Sequence, residues 1–188
     1  MVDPDTKRGV LNDWDLSYVD SRDGKGHVGG ERTGTIPFMA LDLLCDEYWE
    51  GQIQRRYRHD LEGLIWVLPW VFLQFDGSVL KDPKLRAWRT GDYRVCYKEK
   101  LAFLSRIPGS GDAMTSWKAE WEFATHLLFW LWDEDNDRKR NAFWAQQSST
   151  QSPEPREKSD DEVYHEFCAI FEKVWKVYQS LNHLPGTD

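Results

Sequence analysis

Apolar residues recur at helical spacing along most of the chain, and the pattern predicts a mainly α protein. Leu61, Leu64, Ile65, Leu68, Val71, Phe72 and Phe75 trace one face of a helix over residues 60–75. Trp66, Val67 and Trp70 fill its other side, and a helix apolar all round is one that neighbours surround. Asp60 stands at its start, where a carboxylate can cap free N–H groups and meet the helix dipole favourably. Pro69 predicts a bend, and Gly77 an end. Short and longer helices are expected at Pro83 to Trp88 and Asp92 to Ile107, with a break at Pro108-Gly109-Ser110-Gly111. Trp117, Trp121, Ala124, Leu128 and Leu131 mark the next helical face. Residues 133–160 are polar and read as an exposed loop. Val163, Phe167, Ile170, Val174, Val177 and Leu181 then predict a terminal helix over 161–183, closed by Pro185-Gly186.

The front of the chain differs. Residues 9–18 read as a short strand pair around a turn-prone Asn12-Asp13, and residues 19–34 as a glycine-bearing loop. A short helix is expected over Phe38 to Leu44, followed by a polar, arginine-rich stretch to Arg58. No internal repeat is visible.

With 188 residues, one domain with a sizeable core is expected. A 40% hydrophobic content with 11 Trp describes a chain that packs. The net charge of -8 argues against nucleic acid or an anionic membrane as partner. Cys45, Cys96 and Cys168 are few and scattered, which fits reduced intracellular thiols better than disulfides or a zinc site. Met1 to Arg8 lacks the apolar stretch of a signal peptide, and the run Leu64 to Leu73 is too short to span a bilayer. The expected location is intracellular, cytoplasmic or nuclear.

Three stretches in order carry the chemical reading. Val10-Leu11-Asn12-Asp13-Trp14-Asp15-Leu16-Ser17 comes first, then Gly34-Thr35-Ile36-Pro37-Phe38-Met39-Ala40-Leu41-Asp42, then His59-Asp60-Leu61-Glu62 opening the long apolar helix. Read alone, Asn12-Asp13 is equally a turn between strands. Taken together, the three resemble the second half of a protein-kinase domain, and are most similar to the fungal-type protein kinases. The resemblance is strong over residues 9–75 and thin beyond about 105, where Leu85, Trp88, Gly91, Lys100 and Phe103-Leu104 resemble that group's helical insert.

The resemblance implies a truncated protein-kinase-like large lobe with a small β hairpin at its start. It implies that Asp13 binds magnesium and that Trp14 packs under the nucleotide cleft. Asp15 stands where a glycine is usual and limits the backbone freedom of that motif. Gly34, Thr35, Ile36, Pro37 and Phe38 would hold the protein substrate, with Thr35 bracing the catalytic loop. Asp42 would be the anchoring acid of the activation segment, with Arg138, Arg140 and Arg156 as candidate partners. Asp60 would bond the backbone of the catalytic loop. Ser17, Ser21 and Thr33 could accept phosphate, although an ordinary exposed hydroxyl is the preferred reading for each.

Kinase chemistry also needs a glycine-rich phosphate loop, a strand lysine paired with a helix glutamate, a catalytic aspartate and a second metal-binding asparagine. None can be placed in this sequence. Met1-Val2-Asp3-Pro4 resembles the residues just after that asparagine, so the chain is expected to start immediately downstream of the catalytic loop. A truncated product, an internal start or a degenerate copy would each give this pattern. Within one partial lobe spanning residues 1–188, the expected organisation is a metal motif and activation segment (9–42), a central buried helix (60–75), a helical region (83–132), a polar loop (133–160) and a terminal helix (161–183).

The functional expectation is a portion of a fungal-type Ser/Thr kinase domain, inactive as an isolated chain. Mg-ATP serves the intact family, and this chain alone is expected to bind none. The partner would be a protein substrate or docking protein, with self-association through apolar surface left uncovered on the central helix. A pseudokinase-like interaction module is the alternative, and a small helical interaction domain with coincidental motifs is a third.

Overall fold

The structure is a computed structural model that describes residues 34–81, 83–109, 111–147 and 158–182. The strand pair expected over 9–18, together with Asp13, Trp14, Asp15, Ser17, Ser21 and Thr33, lies outside the described residues. So does Arg156.

Six helices and one two-stranded hairpin make up the described fold. Residues Ile36–Phe38 form a 3-10 turn led by Pro37, and two single-turn helices follow, α1 (Leu41–Leu44) and α2 (Asp46–Trp49). The single helix expected over 38–44 is therefore split into a tight turn and α1. Helix α3 (Tyr57–Phe72) starts three residues before Asp60. Its N-terminus is capped by His59, whose Nδ1 accepts the Arg56 N–H at 3.0 Å. Asp60 instead sits in the first turn, favourable to the dipole, and its carboxylate meets Arg55 at 2.7 Å.

The strands β1 (Phe75–Asp76) and β2 (Val79–Leu80) pair antiparallel directly after α3, with Phe75 opposite Leu80. Gly77, at φ +60°, supplies the left-handed residue that a two-residue hairpin needs. Asp76 accepts the Ser116 N–H at 3.1 Å, and Trp117 Nε1 donates to the Phe75 carbonyl at 2.7 Å. These bonds fasten the hairpin to a 3-10 turn at Thr115–Trp117, which leads into the longest helix among the described residues.

After a 3-10 turn at Arg86–Arg89 comes α4 (Tyr93–Leu104), capped by Asp92, whose side chain accepts the Val95 N–H. Helix α5 (Lys118–Gln147) is 30 residues long, and α6 (Asp160–Asn182) has 23. Much of the polar stretch read as a loop, residues 133–147, is thus the second half of α5. Polarity hid it from a reading based on apolar spacing. Two ion pairs within the helix support it: Lys139 meets Asp135 at 2.6 Å, and Arg140 pairs with Asp137.

The core lies where α3 crosses α5, with α1, α4 and the 3-10 turns closing it on one side and α6 on the other. Ile65, Trp66, Leu73, Trp88, Trp121, Leu127 and Leu128 are almost wholly removed from water. Burying each aliphatic side chain of this kind contributes about 1.5–3 kcal/mol. Trp66 and Trp88 meet edge to face at 5.3 Å, and Phe103 meets Trp88 in the same way at 5.4 Å. Trp121 buries its ring while Nε1 donates to the Pro108 carbonyl at 2.8 Å. Not every face of α3 is covered: Leu64 is 62% exposed and Val67 37%. No helix among the described residues is long and apolar enough to cross a membrane.

Candidate functional site

The segment Gly34–Leu44 lies across α3 and α4, and close packing with both holds it there. Pro37 sets the 3-10 turn and is buried, and Met39, Ala40, Leu41, Leu43 and Leu44 put their side chains into the core. Gly34 and Thr35 remain exposed, with Ile36 and Phe38 half-buried. The Phe38 and Trp70 rings meet edge to face, with centres 5.6 Å apart. On α3, Gly63 is what permits this approach. A Cβ there would stand 2.9 Å from the Phe38 carbonyl oxygen, closer than carbon and oxygen tolerate.

Beneath the segment, polar side chains bond its main chain. Glu62 Oε1 accepts the Leu41 N–H at 2.7 Å and the Trp66 Nε1–H at 3.0 Å. From α4, Lys100 Nζ donates to the Met39 carbonyl at 2.6 Å. Its ammonium lies 4.4 Å from the centre of the Trp66 ring and 5.4 Å from that of Trp88. Burial raises the Glu62 carboxyl above its ordinary value, opposed by the Leu41 N–H and the Lys100 charge. Burial likewise pulls the Lys100 ammonium down to about 7, with Cys96 and Glu62 working against it.

Asp42 closes the segment. Its Oδ2 meets Arg58 Nη1 at 2.6 Å, and His59 Nε2 stands 3.5 Å away. Because His59 Nδ1 accepts a backbone N–H, Nε2 carries the ring proton, close to the Asp42 carboxylate but without a hydrogen bond to it. Burial alone would raise the Asp42 carboxyl. The His59 contact and the charges of Arg58 and Arg138 outweigh it and hold the group well below the usual carboxylate range. His59 itself is lowered, chiefly by burial and then by Arg58, with Asp42 pulling the other way.

Of the residues singled out from sequence, the structure gathers Ile36, Pro37, Phe38 and Asp42 into one seat on α3. Asp60 is apart from it, with its side chain 57% exposed beside Arg55. Arg58 makes the direct pair with Asp42; Arg138 adds only its field, and Arg140 is engaged by Asp137. Sequence reading missed Arg58, Glu62, Gly63 and Lys100 as parts of this seat. A signal for Lys100 was present: Cys96, Lys100 and Leu104 recur every four residues and form the buried stripe of α4.

Among the described residues, no group of three or more acidic, His or Cys side chains could hold a metal ion. A cavity of about 20 Å³ lies between Arg58, Glu62, Trp130 and Arg138, large enough for about one water and far below nucleotide size. Asp13 and Trp14, the residues that the resemblance assigns to Mg-ATP, lie outside the described residues, and no step of phosphoryl transfer is assigned to the described ones.

No curated protein and no solved structure matches the chain. A family model does, over residues 1–72, a stretch that takes in the seated segment and ends with the last residue of α3. Over that portion, the chain is similar to the fungal protein kinases.

Proposed function

We propose that residues 34–42 are the end of an activation segment, and that they seat a Ser- or Thr-bearing protein partner within a portion of a fungal-type protein kinase domain. The support is the seating itself. The segment's exposed front, Gly34 and Thr35, rides on a buried back that α3 and α4 hold by main-chain bonds, and Asp42 is fixed by Arg58 at its end. The match over residues 1–72 points the same way. In this reading, Asp13 is the magnesium ligand and Trp14 the floor of the nucleotide cleft of the intact domain. Mg-ATP would supply the transferred phosphoryl group there. This chain by itself docks protein and does not turn over nucleotide.

A pseudokinase-like module is the second reading, supported by aromatic side chains displayed away from the seat. Phe143, Trp144, Phe171 and Trp175 are all more than two-fifths exposed.

An array of Ser- and Thr-containing peptides probed with the purified chain tests the proposal. A subset should be captured, capture should fall when Ile36 and Phe38 are replaced by Ser, and Mg-ATP should leave the melting temperature unchanged. Capture indifferent to those replacements would move docking elsewhere and favour the module. Nucleotide-dependent stabilisation would overturn the non-catalytic reading.

A further inference from the structure

Two buried charges reach the seated segment from different helices and end on main-chain atoms two residues apart. Glu62, from α3, takes the Leu41 N–H; Lys100, from α4, holds the Met39 carbonyl. Trp66 joins them. Its Nε1–H donates to the same Glu62 oxygen that binds Leu41, while its ring faces the Lys100 ammonium. One turn before Lys100, Cys96 places its sulfur 3.7 Å from the Ile36 carbonyl.

Apolar residues of similar volume would hold the lobe together at least as well as buried charges. What the charges add is specificity of position. Were the segment to slip by one residue, the Leu41 N–H and the Met39 carbonyl would leave their partners, and a desolvated charge without hydrogen bonds is strongly disfavoured. An apolar floor would tolerate the slip, because nonpolar contact has no direction.

We propose that Glu62 and Lys100, coupled through Trp66, are positioning residues that fix the register of residues 36–42 and so decide which face is offered to the partner. The purpose rests on the docking reading; the latch itself does not.

Hydrogen exchange on the full chain, resolved over residues 39–43, tests the latch. Lys100→Met keeps the bulk of the side-chain stem and removes the donor, so exchange there should speed up by about tenfold, the loss of one net hydrogen bond. The cooperative melt should persist, and tryptophan emission should shift as the charge above Trp66 disappears. Glu62→Leu should act like Lys100→Met. Glu62→Gln, which keeps an acceptor for Leu41, should stay near the parent. Unchanged exchange in both Lys100→Met and Glu62→Leu overturns the latch. Acceleration by the same factor throughout α5 overturns it too, since that marks a plain loss of stability. If Lys100→Met does not fold, the parent still decides. A Leu41 amide as fast as that of the exposed Gly51 turn refutes the latch, and one protected like the core of α3 upholds it. Failure to capture any peptide bears on the docking reading alone.

Discussion

Replacing Asp42 with Asn removes one charge from the Arg58 pair while keeping the shape of the side chain. The two groups meet at 2.6 Å, with side chains 14% and 22% exposed. At an effective dielectric of about 20, unit charges 4 Å apart attract by about 4 kcal/mol, and desolvation cancels much of that. Removing one partner alone leaves the desolvation of the other uncompensated, which costs about 3–5 kcal/mol when the pair is fully buried. Partial exposure reduces this to about 2–3 kcal/mol here. For a chain of this size, the melting temperature should drop by about 4–12 °C.

Urea titration at neutral pH, repeated down to pH 3, is the assay. The Asp42 carboxyl is held below its ordinary 3.8, so its contribution is complete above that value and is lost as pH falls below it. His59 is lowered from 6.5, so the unfolded chain takes up protons first and stability also falls with pH below that value. Asp42→Asn should lose the steepening below pH 4 and keep the decline that begins near 6.5. In the double variant, Arg58→Met should recover part of the loss, because the orphaned cation is then gone. If Asp42→Asn lies within about 0.5 kcal/mol of the parent, or has the same acid limb, the pair does not anchor the segment.

Three further changes probe other parts of the structure. Gly63→Ala puts a methyl 2.9 Å from the Phe38 carbonyl and should cost about 1–3 kcal/mol by calorimetry, although alanine favours a helix. Asp92→Ala removes the side-chain cap of α4 and should cost about 1 kcal/mol in urea. Leu64→Glu, at an outward position on α3, should change stability by less than about 0.5 kcal/mol while lowering self-association in sedimentation velocity.

Period and punctuation made the helices legible before any coordinates. Trp121, Ala124, Leu128 and Leu131 share the buried face of α5 that their spacing predicts, and Asp92 caps α4 where the helix was expected to start. The hairpin at 75–80 was not legible, because two-residue strands are too short to show alternation. At the seat, sequence motifs drew attention to the segment and Asp42 but not to what lies under them. Lys100 sits in the run Lys98-Glu99-Lys100, which reads as a solvated face, and only its four-residue offset from Cys96 and Leu104 puts it inside. Asp60 drew attention as the motif's acid, yet it is Glu62, two residues on, that the helix turns toward the segment. Pairing of Asp42 with Arg58 depends on how the segment folds back over α3, and no periodicity encodes that.

Helix α5 is about 45 Å from end to end at 1.5 Å per residue, and its buried positions run from Trp121 to Asp135, after which the side chains turn to water. A rod anchored at one end this way has unequal resistance to salt. Screening does little to the tryptophan-packed base, but it weakens the exposed Arg140–Asp137 contact that helps hold the outer turns. The aromatic pair Phe143 and Trp144 near its tip is thus carried on the turns that salt can reach, and the packed base is not.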